Sequence, residues 1–276
     1  MNKRLIGYHD GEGLLYELSG ASKLLFFLLV SIACMTTYDT RLILAVGLMS
    51  VLLFKSADIH WRDISFVMKF VTVFAVLNVV MVYLFAPDYG EKIYGAKTLL
   101  WAGAGRFYLS WQEVFYLLNL VLKYFCTVPL AILFLMTTHP SQFAASLNQI
   151  GISYKVAYAV SLTLRYIPDV QEEFYMIRTS QEARGLELSQ KANLLSRIKG
   201  NLQIIIPLIF SSLDRIDTVS TAMELRRFGK NKKRTWYMYQ PFRKKDILAI
   251  GLACLILMGS FWLFSLNEGR FYNPWK

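Results

Sequence analysis

Two short segments with nearly the same pattern contain the residues of this chain that are best placed for binding chemistry. They lie 42 residues apart, and in each a glutamate and one small or aliphatic residue precede an arginine. The segments are Gln181-Glu182-Ala183-Arg184-Gly185 and Met223-Glu224-Leu225-Arg226-Arg227. Because the pattern occurs twice, it favours two equivalent contacts with a partner of two-fold or pseudo-two-fold symmetry.

The chemistry that Arg184 and Arg226 offer is the recognition of an acidic groove. A guanidinium presents five donors in a rigid fork and can bind one carboxylate through two hydrogen bonds. Both arginines fall in the last turn of a predicted helix, where the helix dipole favours a cation by about 0.3–1 kcal/mol. That preference is enough to explain one solvated arginine at a helix end, so only the repetition favours a binding role. Glu182 and Glu224 are the supporting residues at the same helix ends.

The composition is that of an integral membrane protein with one basic segment outside the membrane. The 276 residues are 55% hydrophobic and 15% aromatic, which is more apolar surface than a soluble domain of this length normally buries. Residues 138–245 contain 17 Lys and Arg against 8 Asp and Glu, so this segment carries +9 of the net charge of +11. Basic segments also bind nucleic acids. Here the charges alternate with apolar helical patterns close to predicted spans, so we expect no nucleic-acid partner.

Five apolar stretches predict an all-α integral membrane protein with about five transmembrane helices, within a range of four to six. The first two stretches are shorter than the roughly 20 residues that a span needs, so they are expected to be tilted, extended at their ends or re-entrant. Lys and Arg flank the first and the last stretch, which favours a cytoplasmic N-terminus and a multi-pass protein of the plasma membrane. The stretches are 24–37, 42–54, 64–86, 114–136 and 247–266.

The predicted organisation has three parts. An N-terminal membrane region holds about four spans, a cytoplasmic module holds about three coupling helices, and the last span leads to a short external tail. These parts are residues 1–137, 138–245 and 246–276.

Within the module, proline and glycine predict where the helices begin and end. Pro168 suits the first turn of the second helix, and Gly229 suits the end of the third. Two apolar stretches, 156–164 and 204–210, are too short to span, so we expect them to pack on each other or to lie at the membrane interface. The predicted helices are 141–150, 168–186 and 203–228.

Two polar residues lie within the fourth predicted span. Asn119 and Lys123 are four residues apart and so share one helix face. A lysine at this depth is a candidate for a functional site, but no acidic residue lies deep in any span, so we favour a structural role with a neighbour such as Asn78. The three cysteines and three histidines are widely separated in the sequence, which predicts neither a metal site nor a bound cofactor.

Several motifs together resemble one known family, the transmembrane T component of energy-coupling factor transporters. The resemblance covers most of the chain and includes the glycine-rich approach to Lys23 and both arginine segments. The other matching motifs are Thr137-Thr138-His139-Pro140 and Leu164-Arg165-Tyr166-Ile167-Pro168.

The resemblance implies a non-enzymatic scaffold in a bacterial or archaeal ATP-binding-cassette importer of vitamins or transition-metal ions. The two arginine segments would each dock in a groove of one of two ATPases, identical or not, which would bind ATP and Mg. The spans, with the apolar surfaces of residues 141–168 and 202–213, would hold a substrate-binding S component in the membrane lipid. The substrate would be recognised by that subunit and not by this chain.

The two segments fit the family pattern unequally. Ala183, Arg184 and Gly185 match its Ala-Arg-Gly signature, whereas Leu225 replaces the alanine and Arg227 replaces the glycine in the second copy. This departure suggests a differently shaped groove on that side and so two non-identical ATPases.

Two other classes of function stay open from the residues. A self-contained permease would need a polar route through several spans, for which Asn78, Asn119 and Lys123 are the candidates. A membrane-embedded enzyme acting on lipids would need clustered acidic residues or histidines at the membrane surface, and residues 58–63 form the one such cluster. A solvated loop explains that cluster more simply.

Overall fold

The computed structural model describes residues 11, 13–96, 98–101, 108–185, 194–230 and 235–275. The structure is 77% helical with almost no sheet, which confirms the predicted all-α class. It divides into two compact units. The first comprises Met1–Ser146 and Gln240–Lys276, and the second comprises Leu147–Tyr239.

The first unit is a helical bundle built around one long central helix. A short α1 (Leu14–Glu17) precedes α2 (Gly20–Thr36), α3 (Thr40–Ser56) and α4 (Trp61–Phe85). After a short α5 (Tyr89–Tyr94) come the paired antiparallel strands β1 (Leu99–Trp101) and β2 (Leu109–Ser110). The unit continues with α6 (Trp111–Thr137) and the start of α7 (Pro140–Gln149), and it ends with α10 (Lys244–Leu266). The segment between α4 and α6 therefore contains one short helix and two paired strands.

Polar residues at the helix ends explain where these helices begin. Ser19, Asp39 and Ser110 each accept a hydrogen bond from a backbone N–H in the first turn of α2, α3 and α6, which satisfies donors that have no partner within the helix. The buried Asp246 ties the start of α10 to the start of α2, because its Oδ1 accepts from Ser19 N at 2.7 Å and from Ser22 Oγ at 2.6 Å.

Among the described residues, three helices are long and apolar enough to cross a membrane. These are Ile64–Phe85, Trp111–Thr137 and Lys244–Leu266, which correspond to the third, fourth and fifth predicted spans. The first two predicted spans become α2 and α3 of 17 residues each. At 1.5 Å per residue each is about 25 Å long, short of the roughly 30 Å hydrocarbon core.

The core of the first unit lies where α2, α3, α6 and α10 meet. Each of the four helices contributes at least one fully buried side chain, and the thiols of Cys34 and Cys126 lie 3.4 Å apart within this core. The other members are Val30, Ile43, Val46, Leu130 and Ala253. A second cluster, with Ile64, Met68, Ile132 and Met136, joins α4 to α6.

The second unit consists mainly of two long helices, α8 (Tyr154–Ala183) and α9 (Leu194–Leu225). The predicted start of the second module helix at Pro168 is wrong, because α8 begins at Tyr154 and runs through that proline. Pro168 and Pro207 both lie on exposed faces, so the carbonyl that each proline deprives of a partner can reach solvent. The apolar stretches 156–164 and 204–210 lie inside these two helices.

Candidate coupling helices

Both arginine segments lie where a long helix ends. Helix α8 ends at Ala183 with Arg184 as its C-cap, and α9 ends at Leu225, directly before Arg226. Both arginines are exposed, and Leu225 is 81% exposed. The two segments therefore present a guanidinium and the end of a helix together.

The residue after each arginine adopts the left-handed conformation. Gly185 has a φ of +89° and Arg227 has a φ of +53°, and the backbone N–H of each donates back to the glutamate carbonyl of its own segment, Glu182 or Glu224, at 3.0 and 2.9 Å. In α9 the Phe228 N–H also donates to Met223 O at 2.9 Å. These two bonds of α9 form a Schellman motif.

The two helix ends are therefore closed in the same way although their sequences differ. A glycine accepts a positive φ without strain, whereas an arginine there costs roughly 1–2 kcal/mol. The substitution of Arg227 for glycine adds a side chain but retains a positive φ at this position. The carboxylate of Glu182 forms an i, i+4 ion pair with Arg178 at 2.9 Å, and Glu224 is exposed.

Helices α8 and α9 run antiparallel. The rings of Tyr154 and Tyr158 in the first turns of α8 pack on Phe228, just beyond the end of α9, with centroids 5.6 and 4.6 Å apart. Trp236 adds a ring 5.5 Å from Tyr154 and donates its indole N–H to Asn148 Oδ1 at 3.1 Å. This aromatic cluster joins the start of one helix to the end of the other.

A polar network holds the middle of the helix pair. Glu173 Oε2 accepts from Arg215 Nη2 at 2.8 Å, and Glu173 also accepts a hydrogen bond from the Ser211 hydroxyl. The Arg215 guanidinium lies 3.9 Å from Asp169 Oδ2 and 5.6 Å from the Tyr166 ring centroid. The Glu173 side chain is only 14% exposed and that of Arg215 is 34% exposed, so this network is substantially withdrawn from solvent.

The network lies midway between Arg184 and Arg226, which we call the two arginine tips. Its centre, near residues 171 and 213, is 13 residues from Arg184 along α8 and 13 residues from Arg226 along α9, or about 20 Å in each case at 1.5 Å per residue. Because the helices are antiparallel, the tips point to opposite ends of the pair. The pair thus has an approximate two-fold axis through the network. A partner of two-fold symmetry, which the repeated sequence predicts, would match this axis.

The central network is the part of this arrangement that the sequence analysis missed. Glu173 and Arg215 are 42 residues apart, the same separation as the two arginine segments. That shared spacing of opposite charges on two predicted helices is the signal that could have found the network.

The intramembrane polar residues Asn119 and Lys123 lie in the first unit, and each has a hydrogen-bond partner there. Lys123 is 5% exposed, donates to Met35 O at 2.8 Å and lies 3.2 Å from the Tyr38 ring centroid. Asn119 Oδ1 accepts from the Thr40 hydroxyl at 2.7 Å. These contacts replace Asn78, the partner that the sequence suggested, so that suggestion is wrong. Both residues join α6 to the turn between α2 and α3, which supports a structural role.

Among the described residues, no group of three His, Cys, Asp or Glu side chains is arranged to hold a metal ion. This result covers Asp58 and His60 of the predicted cluster at 58–63, whereas the side chain of Asp63 lies outside the described residues.

Comparison with known proteins identifies the family. The sequence profile of the family described as "CbiQ: Cobalt transport protein" matches residues 13–237, most of the chain. Proteins named "Energy-coupling factor transporter transmembrane protein EcfT" are similar to it. The one from Ruminiclostridium cellulolyticum is 24% identical over 91% of this chain and 92% of its own length, and the one from Acidaminococcus fermentans is 30% identical over 66% and 67%.

The alignment with the EcfT protein of Streptococcus equi has 34% identity but covers 42% of each chain. Most of the first relatives are thus matched over about half their length or less, whereas the profile and the Ruminiclostridium alignment extend across both the helical bundle and the paired helices. The chain therefore belongs to the CbiQ family of transport proteins, as an energy-coupling factor transporter transmembrane component.

Proposed function

We propose that this chain is the coupling subunit that holds two cytoplasmic ATPases and a substrate-binding S component in one importer of vitamins or transition-metal ions. The main observation in support of this proposal is the antiparallel α8/α9 pair with one arginine tip at each end. A pair of ATPases, identical or not, would present two grooves related by an exact or approximate two-fold axis, and the helix pair has a matching axis.

The charge and shape of the tips support binding in acidic grooves. Each tip ends in an exposed arginine, and Arg227 and Lys230 add positive charge at the end of α9. A guanidinium that enters a groove at a helix C-terminus gains two hydrogen bonds from one carboxylate. The helix behind it supplies a stiff body that fits the helix-in-groove mode of recognition.

The apolar face of α9 supports binding of the membrane partner. Its side chains at i, i+3, i+4, i+7, i+8 and i+11 form one stripe on a helix, and each is between 41% and 63% exposed. Such a continuous exposed stripe is typical of a surface that another protein covers. The residues are Leu202, Ile205, Ile206, Ile209, Phe210 and Leu213.

The proposal places ATP hydrolysis on the partner subunits, and it places the N-terminus and residues 138–245 on the cytoplasmic side. Closure of the ATPases on ATP would push the two tips, and the joined helices would pass that movement to the S component. The chain itself would bind no cofactor in this cycle.

Charge reversal at both tips tests the proposal. We expect Arg184→Glu together with Arg226→Glu to reduce ATPase co-purification from detergent-solubilised membranes by at least tenfold, because each tip would then repel an acidic groove. The control is Arg165→Glu, which makes one such charge reversal on the exposed part of α8 away from the tips and should leave the ATPases bound. Full ATPase recovery with a folded double variant would refute the proposal.

A further inference from the structure

The first unit contains an apolar cavity at one end of its helix bundle, and this cavity has no role in the coupling described above. Its volume is about 380 Å³, within the range of about 300–1,000 Å³ typical of ligand pockets. It lies among α1, α2, α3, α6 and α10, and its apolar walls include Leu15, Phe27, Leu133 and Leu252. We call it the bundle-end cavity.

The bundle-end cavity opens at the surface of the bundle. Two of its lining residues, Leu14 and Leu248, are 64% and 73% exposed, so the apolar interior continues to the outside along α1 and α10. The lining residues Lys245 and Leu252 are seven residues apart on α10, which makes the slot about 10 Å deep at 1.5 Å per residue. An apolar slot of this depth beside membrane-spanning helices suits a hydrocarbon chain.

Two lysines line the same cavity. Lys23 is 7% exposed and donates to Thr137 O at 2.7 Å. Its Nζ also lies 5.8 Å from the Tyr16 ring centroid. An ammonium has three N–H donors, so Lys23 can donate to a further acceptor besides Thr137 O. Lys245 is more exposed and pairs with Glu17. Arg243 and Lys244 are exposed beside it, so the described residues at this end of the bundle include four cations and two carboxylates, Glu17 and Asp246.

We propose that the bundle-end cavity binds one anionic phospholipid. One acyl chain fills the slot, and the phosphate lies between the ammonium groups of Lys23 and Lys245. An acyl chain gains little from leaving the bilayer for an apolar pocket, because lipid tails are as apolar as the leucines that line it. The headgroup charge therefore decides which lipid is retained.

Native mass spectrometry of the purified full chain tests this proposal. The delipidated protein in detergent is offered equal amounts of dioleoyl phosphatidylglycerol and dioleoyl phosphatidylcholine. We expect retention of one phosphatidylglycerol, preferred at least fivefold over phosphatidylcholine, because a lysine near an anionic lipid surface contributes roughly a factor of five in affinity.

Two pairs of variants separate the headgroup contact from the slot. Lys245→Gln should reduce the preference for the anionic lipid about fivefold, whereas Lys55→Gln, an exposed lysine at the end of α3 outside the cavity, should not. Ala249→Trp fills the cavity from its wall and should reduce retention about tenfold. Ile247→Trp, on the exposed face of the same helix, should retain the lipid.

Three results would overturn the proposal. Equal retention of the two lipids by the wild-type chain would show that the lysines do not bind the headgroup. A folded Ala249→Trp protein that retains lipid as the wild type does would exclude the slot. If that variant keeps its lipid but no longer assembles with its membrane partner, the occupant is an apolar segment of that partner. Lys245→Gln changes only an exposed side chain, so it tests the headgroup contact even if Ala249→Trp does not fold.

Discussion

The ion pair between Glu173 and Arg215 should stabilise the packing of α8 on α9. We call this contact between the two helices the joint. Removing Arg215 leaves a Glu173 carboxylate that is 14% exposed with the Ser211 hydroxyl as its remaining partner in the network. Exposed ion pairs are worth at most about 1 kcal/mol, and breaking a fully buried pair costs about 3–5 kcal/mol. Because this pair is intermediate in burial, we expect Arg215→Met to reduce the free energy of local unfolding by about 2 kcal/mol.

Hydrogen exchange of the purified protein measures this effect. A loss of about 2 kcal/mol corresponds to amide exchange roughly 30-fold faster in the middle of α8 and α9. Glu173→Met should have a smaller effect, because the guanidinium it leaves unpaired is 34% exposed. The double variant Glu173→Met with Arg215→Met should exchange within about threefold of wild type, since replacing both charges of a buried pair by apolar groups is often neutral.

The double-mutant cycle can refute this reasoning in two ways. If Arg215→Met changes exchange less than threefold, the network does not stabilise the joint. If the double variant exchanges faster than either single variant, the two residues contribute independently and the pair is not the stabilising unit.

Two further predictions concern the tips. Arg227→Gly should slow amide exchange in the last turn of α9 about fivefold, equivalent to about 1 kcal/mol, because glycine removes the strain of the positive φ at that position. The same change at an exposed residue without a positive φ should have no such effect, and faster exchange would contradict the assignment of strain. In a Cys254→Ser background, Arg184→Cys and Arg226→Cys should both resist a membrane-impermeant maleimide in intact cells and both react after permeabilisation. Labelling of one and protection of the other in intact cells would place the tips on opposite sides of the membrane and refute the coupling model.

Local sequence signals mark both ends of α8, although the prediction placed its start at Pro168. Ser153 precedes α8 and caps it by accepting from the Val156 N–H, as expected of a serine at this position. The glycine after Arg184 marks the other end of the helix through the positive φ that glycine accepts without strain. These signals are local, so a single sequence contains them.

The interior of α8 could not be predicted in the same way. Pro168 costs the helix one hydrogen bond and roughly 3 kcal/mol, which predicts a helix start. The structure continues the helix because the aromatic cluster at Tyr154 and the network at Glu173 hold it on α9 on both sides of the proline. Tertiary contacts that outweigh a local cost are not visible in a local pattern.

The partner of Lys123 shows the same limit. The sequence places Asn119 and Lys123 on one helix face but cannot say which carbonyl lies opposite that face. In the structure Lys123 donates to the backbone carbonyl of Met35 at the C-terminal end of α2. Every type of residue has such a carbonyl. A backbone carbonyl has no sequence signature, so such a contact can be found only from the fold.

The location of the ion pair bears directly on how coupling would work. In the proposed function each ATPase moves one tip, and the tips lie about 20 Å on either side of the network by helix length. Equal and opposite movements across the long axis of an antiparallel pair would rotate it about its centre, so the centre would transmit torque without itself being displaced. The joint consists of one ion pair and one hydroxyl hydrogen bond, with an apolar groove of about 520 Å³ beside it. Such a rotation requires three features together: the spacing of the arginines, the antiparallel pairing and the central position of the network. A variant that weakens the joint should therefore uncouple transport from ATP hydrolysis while both ATPases stay bound.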